Sequence, residues 1–339
     1  MLVYFAKRLA IAVPTLIGIS LVCFCLVQLT PGGPVEQAIA EMRNSAVGGE
    51  TGGARVSGIT DEQRAMLVEY YGFDKPLFAR YFAWIGRLVR LDLGESYFHS
   101  EPVWDLIKRT LPVSLSFGIA SFLLTYLICI PLGILKAVHH DTPFDATSSG
   151  LIFLLYSIPS FALGILLIVL FGGGSFWNVF PIEGMVSENF EDLGAWAKIA
   201  DYAHHMFLPL LCYTIGSFAT LTMVMKNSLL DQLKADYMTT ARAKGLPERL
   251  VILRHGVRNA LLPIVNGLGH WLSLFFTGSL LIETIFGLQG VGRLSYESIV
   301  RRDYPVVLAN IMILSLLNIV GNLLSDFLYV VADPRIDFA

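Results

Sequence analysis

The chain has 339 residues and a formal net charge of −3, and 55% of its residues are hydrophobic whereas only 15% are charged. Soluble domains carry roughly a quarter charged residues. This deficit, together with a mean hydropathy of +0.63, indicates a membrane protein. The chain has no basic tail and no arginine-rich stripe, so we expect no nucleic acid partner.

The four cysteines all lie in apolar runs, and no pair of histidines accompanies them at a zinc-site spacing. We therefore expect them to be buried as small hydrophobic residues rather than to bind a metal. They are Cys23, Cys25, Cys129 and Cys212.

Six stretches are long and apolar enough to cross a bilayer, which takes about 20 residues of α-helix. They cover residues 9–29, 111–135, 146–172, 206–225, 259–282 and 304–332. Lipid offers no hydrogen-bond partners to the backbone, so each stretch should be a helix, which predicts an all-α membrane protein with six transmembrane helices. The first stretch follows two basic residues, as a secretory signal does. It is long enough to span, and no clear cleavage site follows it, so we expect it to be retained.

Basic residues in short loops indicate the orientation. Residues 226–258 carry seven bases and three acids, whereas residues 173–205 carry five acids and one lysine. The loop at 226–258 and both termini are therefore predicted to be cytoplasmic. Residues 30–110 are predicted to lie outside. The predicted organisation is a first helix at 1–29, an outer segment at 30–110 and a five-helix core at 111–339.

The outer segment mixes flexible and helical patterns. A turn-rich start at 31–34 and a glycine-rich stretch at 48–58 precede a predicted amphipathic helix at 61–71, which begins with a capping-box pattern. Further along, apolar residues recur at helical spacing: Tyr81, Phe82, Trp84, Ile85, Leu88 and Val89. This pattern predicts a helix that either lies on the membrane interface or packs on the helical bundle.

The common enzyme motifs are missing. The sequence contains no phosphate-binding Gly-x-x-x-x-Gly-Lys-[Ser/Thr] loop, no Gly-x-Ser-x-Gly elbow and no His-Glu-x-x-His pair. A membrane enzyme or a receptor scaffold would need a catalytic constellation or a signalling domain, and we find neither. We therefore expect a chain that is not itself an enzyme.

The most informative stretch is 236–247, in the loop predicted to be cytoplasmic. Residues 238–244 favour a helix, and Gly245 and Pro247 end it. A short exposed helix of this kind fits a groove on a partner protein. An ordinary amphipathic loop helix is the alternative that the residues alone leave open.

The run Tyr-Met-Thr-Thr-Ala-Arg-Ala-Lys-Gly-Leu at 237–246, followed by Arg-Asn-Ala-Leu-Leu-Pro at 258–263, resembles the EAA loop of binding-protein-dependent ABC importer permeases. It is similar to the version in dipeptide and oligopeptide permeases, although Thr239 replaces the acid that names the motif. Further segments resembling the B-type subunit lie at 31–34, 71–76, 91–96, 112–115, 302–305 and 333–336. The glycine-rich stretch and the Pro-Gly-Gly-Pro run resemble the branch that imports microcin C.

The resemblance implies a type I ABC importer permease in a bacterial inner membrane, with a periplasmic insertion between helices 1 and 2. Its partners would be a second, C-type permease, two ATPase subunits or domains, and a periplasmic or lipid-anchored peptide-binding protein. ATP and Mg²⁺ would bind to the ATPase partners, and this chain would bind no cofactor. Transport would proceed by alternating access coupled to ATP hydrolysis.

The resemblance also assigns the coupling contact. Arg242 and Lys244 would pair with acids of the ATPase, and Ala241 and Ala243 would permit close approach. The predicted coupling residues are Thr239, Thr240, Ala241, Arg242, Ala243, Lys244 and Gly245. We expect Gly245→Asp or Ala241→Asp to abolish uptake while the protein stays in the membrane.

Polar residues near the last two spans are candidates for the translocation path. The predicted path residues share much of one face: Asn266, His270, Ser273 and Thr277. A packing role for His270 is the alternative. Glu283 is interpreted as an outer gate, as a contact to the binding protein or as a plain interfacial acid, and Asp326 as a structural partner of a base. A nickel importer of the same family is the second candidate function, but it would want more imidazole or soft ligands than His270 alone provides.

Overall fold

The computed structural model describes residues 2–29, 66, 74–172 and 176–332. The regular elements in these ranges are helical, and an isolated bridge pairs Glu95 with Pro102. The all-α prediction is therefore confirmed for the described chain. The predicted turn at 31–34, the glycine-rich stretch at 48–58, the helix predicted at 61–71 and the motif at 333–336 lie outside the described residues, apart from Met66, which is helical.

The helices are numbered along the chain. They are α1 (Leu2–Leu29), α2 (Leu77–Val89), α3 (Val103–Val138), α4 (Pro143–Ser157), α5 (Ser160–Phe171), α6 (Ala195–Leu233), α7 (Asp236–Ala243), α8 (Glu248–Leu250), α9 (Val257–Ala260), α10 (Leu262–Asn266), α11 (His270–Thr277), α12 (Leu280–Ile285), α13 (Val291–Val300) and α14 (Tyr304–Ala332). A π-helical turn, Val251–Gly256, joins α8 to α9, and a 3₁₀ turn, Phe190–Asp192, precedes α6.

Within the described residues, four helices are long and apolar enough to cross a membrane: α1 from Lys7, α3, α6 and α14 to Val331. The third predicted span is bent, because α4 and α5 meet at 94°. Pro159 precedes α5 and disfavours helical geometry at Ile158, whose ψ is 121°. Counting the bent pair as one span gives up to five.

The fifth predicted span, 259–282, is not one continuous helix, so that expectation is wrong. It is divided among α9, α10, α11 and α12. One break lies at Gly269, where a Cβ atom would stand 1.7 Å from the Gly321 carbonyl oxygen of α14. The Gly269 N–H donates to the Ser325 hydroxyl at 2.9 Å, which satisfies a backbone group in an apolar setting. Another break lies at Gly278, which has a φ of +62°.

The chain divides into two compact units, one comprising residues 1–8, 110–296 and 316–339 and the other residues 9–109 and 297–315. The core of the first unit is formed by α3, α5, α6 and α12, and Cys129 and Cys212 are buried in this unit as predicted for small apolar residues. In the same unit, Asp326 pairs with Arg8 at 3.0 Å, which confirms its structural pairing. The second unit has an aromatic core around Phe24. Cys23 and Cys25 in this unit are only partly buried, so the prediction of burial is wrong for these two cysteines.

Candidate functional site

Helix α7 occupies the centre of the predicted coupling stretch. It begins after Ala235, and Asp236 in its first turn complements the positive end of the helix dipole. It ends at Ala243, after which Lys244 donates its N–H to the Thr240 carbonyl at 3.1 Å. Gly245 follows with a φ of +77°, a conformation that favours glycine and turns the chain sharply out of the helix.

One face of α7 is buried against its own chain. Met238 is 0% exposed and Ala241 is 7% exposed, and both pack with Val251 of the π-helical turn. Ala241 was expected to permit close approach of a partner. The structure instead uses its small side chain inside the chain, so a change there would disturb local packing before it reported on any partner.

The opposite face of α7 is exposed. Its polar and small side chains are those of Thr239, Thr240, Arg242, Ala243 and Lys244. At the start of the helix, the Tyr237 hydroxyl donates to Gln232 at 2.6 Å and accepts from Asn259 at 3.1 Å. These bonds hold the helix to the end of α6 and to α9. The position of α7, and with it the direction of its exposed face, is therefore fixed by its own chain.

Arg242 already has an acidic partner within the chain. Its guanidinium donates to both carboxylate oxygens of Glu248, with nitrogen–oxygen distances of 2.9 to 3.2 Å. The pair lowers the pKa of the Glu248 carboxyl and raises the pKa of Arg242. Arg242 therefore braces the turn around Gly245, and pairing with an ATPase acid would have to compete with this bond. Lys244 is exposed.

A buried charge cluster ties the helix that leads into α7 to its neighbours. The Lys226 ammonium on α6 donates to the two carboxylate oxygens of Asp145 at 2.8 and 2.7 Å. Lys136 on α3 lies 3.0 Å from the same carboxylate and also donates to the hydroxyls of Ser148 and Ser149, at 2.7 Å each. The cluster joins α3, α4 and α6, and each charged member is at most 7% exposed.

The predicted path residues are only partly brought together. Ser273 and Thr277 lie one turn apart on α11, and the Thr277 hydroxyl donates to the Ser273 carbonyl at 2.6 Å. Asn266 ends α10 and His270 begins α11, so the break at Gly269 interrupts the face that the sequence predicted as continuous. The side chains of Asn266 and His270 lie outside the described set, and their path role stays a prediction.

Glu283 is fully buried rather than interfacial. Its Oε1 atom accepts hydrogen bonds from the Ser114 hydroxyl at 2.8 Å, the Tyr213 hydroxyl at 2.9 Å and the Ser279 N–H at 3.2 Å, and its Oε2 atom accepts from the Arg293 N–H at 2.9 Å. With 0% exposure, it cannot touch a binding protein unless this segment opens. The interpretation of Glu283 as a plain interfacial acid is wrong, and its gate role stays a prediction.

Glycines make room for this carboxylate. A Cβ atom on Gly278 would stand 2.0 Å from its Oε1, and one on Gly290 would stand 2.3 Å from its Oε2. The same oxygen lies 2.9 Å from the position of a Cβ on Gly292. The segment from α11 to α13 therefore closes around Glu283, which links it to α3 through Ser114 and to α6 through Tyr213.

A family comparison decides what kind of chain carries this geometry. The model for the inner membrane component of binding-protein-dependent transport systems matches residues 129–338, a range that contains α7, the whole buried charge cluster and the Glu283 site apart from Ser114. The chain belongs to this family. It is a multi-pass permease of the bacterial inner membrane, and in this family the ATPase lies on separate subunits.

Curated relatives match this permease over nearly its full length. The peptidoglycan transport system permease protein YejB of Agrobacterium fabrum is 46% identical over 356 residues, covering 99% of this chain and 98% of that protein. The dipeptide transport system permease protein DppB of Escherichia coli is 34% identical, covering 99% of both chains. The oligopeptide transport system permease protein AppB of Bacillus subtilis is 33% identical, covering all of both.

Sequence reasoning missed two polar links in the permease. It counted Lys226 among loop bases and gave no role to Lys136 or Asp145. It also used the 91–96 and 302–305 motifs only as signs of resemblance, whereas the structure joins them: the Ser96 hydroxyl and the Tyr97 N–H donate to the buried carboxylate of Asp303. Motif recognition had marked both segments, but their pairing across 207 positions has no local signal.

Proposed function

We propose that this permease is one of the two membrane subunits of an ATP-driven importer of oligopeptides. The observation that carries the proposal is α7, an exposed short helix held on a fixed base and ended by a glycine turn, in a chain of the binding-protein-dependent family. Relatives named for dipeptide, oligopeptide and peptidoglycan transport support peptides as the substrate class.

The complete importer would contain a second, C-type permease, two ATPase subunits or domains, and a periplasmic or lipid-anchored peptide-binding protein. ATP and Mg²⁺ would bind to the ATPase partners, and this chain would hold no cofactor. The outer face of α7 would enter the ATPase groove through Thr239, Thr240, Ala243 and Lys244. Because Arg242 is engaged by Glu248, the fit of this face should rest mainly on shape and on Lys244.

The proposed topology is the type I permease fold with six crossings. The bent pair α4–α5 would make the third crossing, and the segmented chain from α9 to α12 would make the fifth. Both termini would be cytoplasmic, and residues 30–110 would form a periplasmic insertion before a core at 111–339. The base-rich loop at 226–258 supports this orientation.

The contacts around α7 suggest how movement of the ATPase would be transmitted to the membrane-spanning helices. Closure of the ATPase dimer would push α7, whose buried face bears on Val251. The adjoining α6 is bound through Lys226 and Asp145 to α4 and through Asp145 and Lys136 to α3. These elements would therefore move together, which is the requirement for alternating access by a rocking bundle.

Two further substrates are candidates for this importer. The resemblance to the microcin C branch favours inclusion of peptide-nucleotide conjugates among the imported peptides. Nickel is the second, and His140, Asp141 and Asp145 do bring ligand atoms within 4.8 Å of one another. The carboxylate of Asp145, however, is already bound by two buried ammonium groups, whose charge opposes a divalent cation. Peptide import is therefore the better proposal.

The coupling proposal is tested with Ala243→Asp in the complete importer reconstituted in proteoliposomes. An unpaired carboxylate pressed into a protein interface costs several kcal/mol, so peptide uptake should fall about tenfold or more. Because Ala243 is exposed in the chain itself, the variant should accumulate in the membrane at the normal level. Uptake of a labelled tripeptide and the amount of ATPase retained on purification are the measurements.

Ala197→Asp is the matched control, since it places the same charge on an exposed helical alanine at the other end of α6. It should leave both uptake and ATPase retention unchanged. Normal uptake by Ala243→Asp would refute the α7 contact. Uptake of radioactive nickel but of no peptide by the unaltered importer would refute the substrate proposal instead.

A further inference from the structure

Helix α2 divides its surface into three faces. Tyr81 and Trp84 are buried against the aromatic core of their unit, and Leu88 packs there in part. Arg80 and Arg87 share a second face, seven residues apart. A third face carries large apolar side chains that no part of the described chain covers: Phe78, Phe82 and Val89, which are 72%, 68% and 77% exposed.

Contacts with α1 set the depth of this helix. The Tyr81 hydroxyl shares a hydrogen bond of 2.8 Å with Ser20, and the Trp84 ring stacks on Phe24 with centroids 5.6 Å apart. The apolar span of α1 ends at Leu29. At a rise of about 1.5 Å per residue, Ser20 lies ~13 Å and Phe24 ~7 Å inside that end. Helix α2 is therefore held at the depth of lipid tails and not beyond the membrane surface.

The arginine face shows which way α2 is turned. Arg80 donates to the side chain of Gln28, which is next to the last residue of the span. The basic face therefore points toward the membrane surface, where long cationic side chains reach the headgroups. At about 100° per residue, Phe78, Phe82 and Val89 lie roughly opposite to Arg80 and Arg87. The exposed apolar face consequently points toward the bilayer interior.

We propose that α2 is an interfacial membrane helix, inserted in the leaflet at the carboxyl end of α1, whose exposed face is covered by lipid acyl chains. Both alternatives from the sequence then hold at once, because one apolar face packs on the bundle while the other meets lipid. Interfacial helices commonly bury their apolar side by about 5–10 Å, which agrees with the depth of Phe24. This inference does not depend on the proposed substrate or on the coupling contact.

The polar groups of α2 suit that position. A 13-residue helix satisfies most of its backbone hydrogen bonds internally, as lipid requires. Tyr81 and Ser20 satisfy each other at the greatest depth. A surface covered by water would instead leave three large apolar side chains mostly exposed to that water.

The test uses nitroxide labels in the assembled importer, reconstituted in lipid bilayers, with the four native cysteines replaced by alanine. Phe82→Cys reports on the apolar face, and Arg87→Cys on the same helix is the matched control. Power-saturation measurements compare collision with molecular oxygen, which concentrates in lipid, and with a water-soluble nickel chelate. We expect the oxygen-to-chelate ratio at position 82 to be several-fold higher than at position 87.

Two outcomes would overturn the proposal. A label at 82 that meets the chelate more than oxygen would place the face in water. A label shielded from both reagents would show that a protein subunit covers the face. Val89→Cys, on the same face and somewhat more exposed, repeats the measurement if the labelled Phe82 variant does not assemble.

Discussion

At the scale of single residues, the buried carboxylate of Glu283 accepts four hydrogen bonds, which makes it a candidate for a structural role. We expect Glu283→Ala to destabilise the permease strongly, because it leaves the Ser114 and Tyr213 hydroxyls and the Arg293 backbone N–H without their acceptor, whereas the Ser279 N–H keeps its bond to the Tyr213 hydroxyl. Each such buried group costs about 1–3 kcal/mol. The temperature at which the detergent-solubilised protein loses its monodisperse chromatographic peak measures the effect.

Glu283→Gln and Tyr213→Phe calibrate that result. Gln keeps one carbonyl oxygen for the Ser114 and Tyr213 hydroxyls but turns an NH₂ group toward the Arg293 N–H, so its loss should be intermediate. Tyr213→Phe removes a single hydroxyl and should cost the least. Equal stability of the Ala and Gln variants would show that the hydrogen bonds of the Glu283 carboxylate contribute little to the stability of the permease.

How far residues could be assigned from sequence depended on where their partners lie. Asp326 was predicted to pair structurally because a lone acid near lipid needs a base, and Arg8 provides it. The burial of Glu283 could not be predicted, because its partners Ser114 and Tyr213 lie 169 and 70 positions away. Arg242 was assigned to an ATPase acid although a bidentate partner, Glu248, stands only six positions along the chain.

At the scale of elements, the turn after α7 requires glycine at position 245 because of its backbone conformation, not because a side chain would lack space. A Cβ atom there would meet nothing within 4 Å, but the φ of +77° is one that side chains other than glycine adopt at a cost. We expect Gly245→Ala to destabilise the turn by about 1–2 kcal/mol and Gly245→Asn to be milder, since Asn tolerates this region. Hydrogen exchange of the α7 amides is the measurement.

Exchange in α7 should accelerate in the order wild type, Asn, Ala. The same order should appear in peptide uptake if the position of α7 matters for coupling. If Ala and Asn behaved alike, the turn would not be what holds α7 in place. Gly245→Asp is a less specific test, because it adds a charge at an exposed site in addition to the backbone cost.

Hydropathy predicted the long elements and failed where the backbone breaks. Helices α1, α3, α6 and α14 match predicted spans because length and apolarity alone define them. The stretch at 259–282 is equally apolar, yet it is broken at Gly269 by close contact with Gly321 and at Gly278 by a positive φ. Such breaks depend on another helix or on local dihedral angles, and a hydropathy window registers neither.

At the scale of the whole molecule, the cluster of Lys136, Asp145 and Lys226 tests whether three helices work as one body. Two buried ammonium groups share one carboxylate, so these three residues carry an excess positive charge. Asp145→Asn would leave two lysines buried without a counter-charge. Loss of one partner of a buried pair typically costs about 3–5 kcal/mol. We expect this variant to fail to accumulate in the membrane.

Lys226→Met should be far milder, because it leaves Lys136 and Asp145 as a neutral pair and fills the same volume with an apolar chain. The membrane content of the two variants, measured by immunoblot, therefore tests the charge balance. If α6 is linked to α4 mainly through Lys226, the Met variant should also hydrolyse ATP while importing less peptide per ATP. An equal loss of membrane content in both variants would contradict the charge imbalance. An unchanged ratio of imported peptide to hydrolysed ATP in the Met variant would show that motion passes from α7 to the bundle without the Lys226 link.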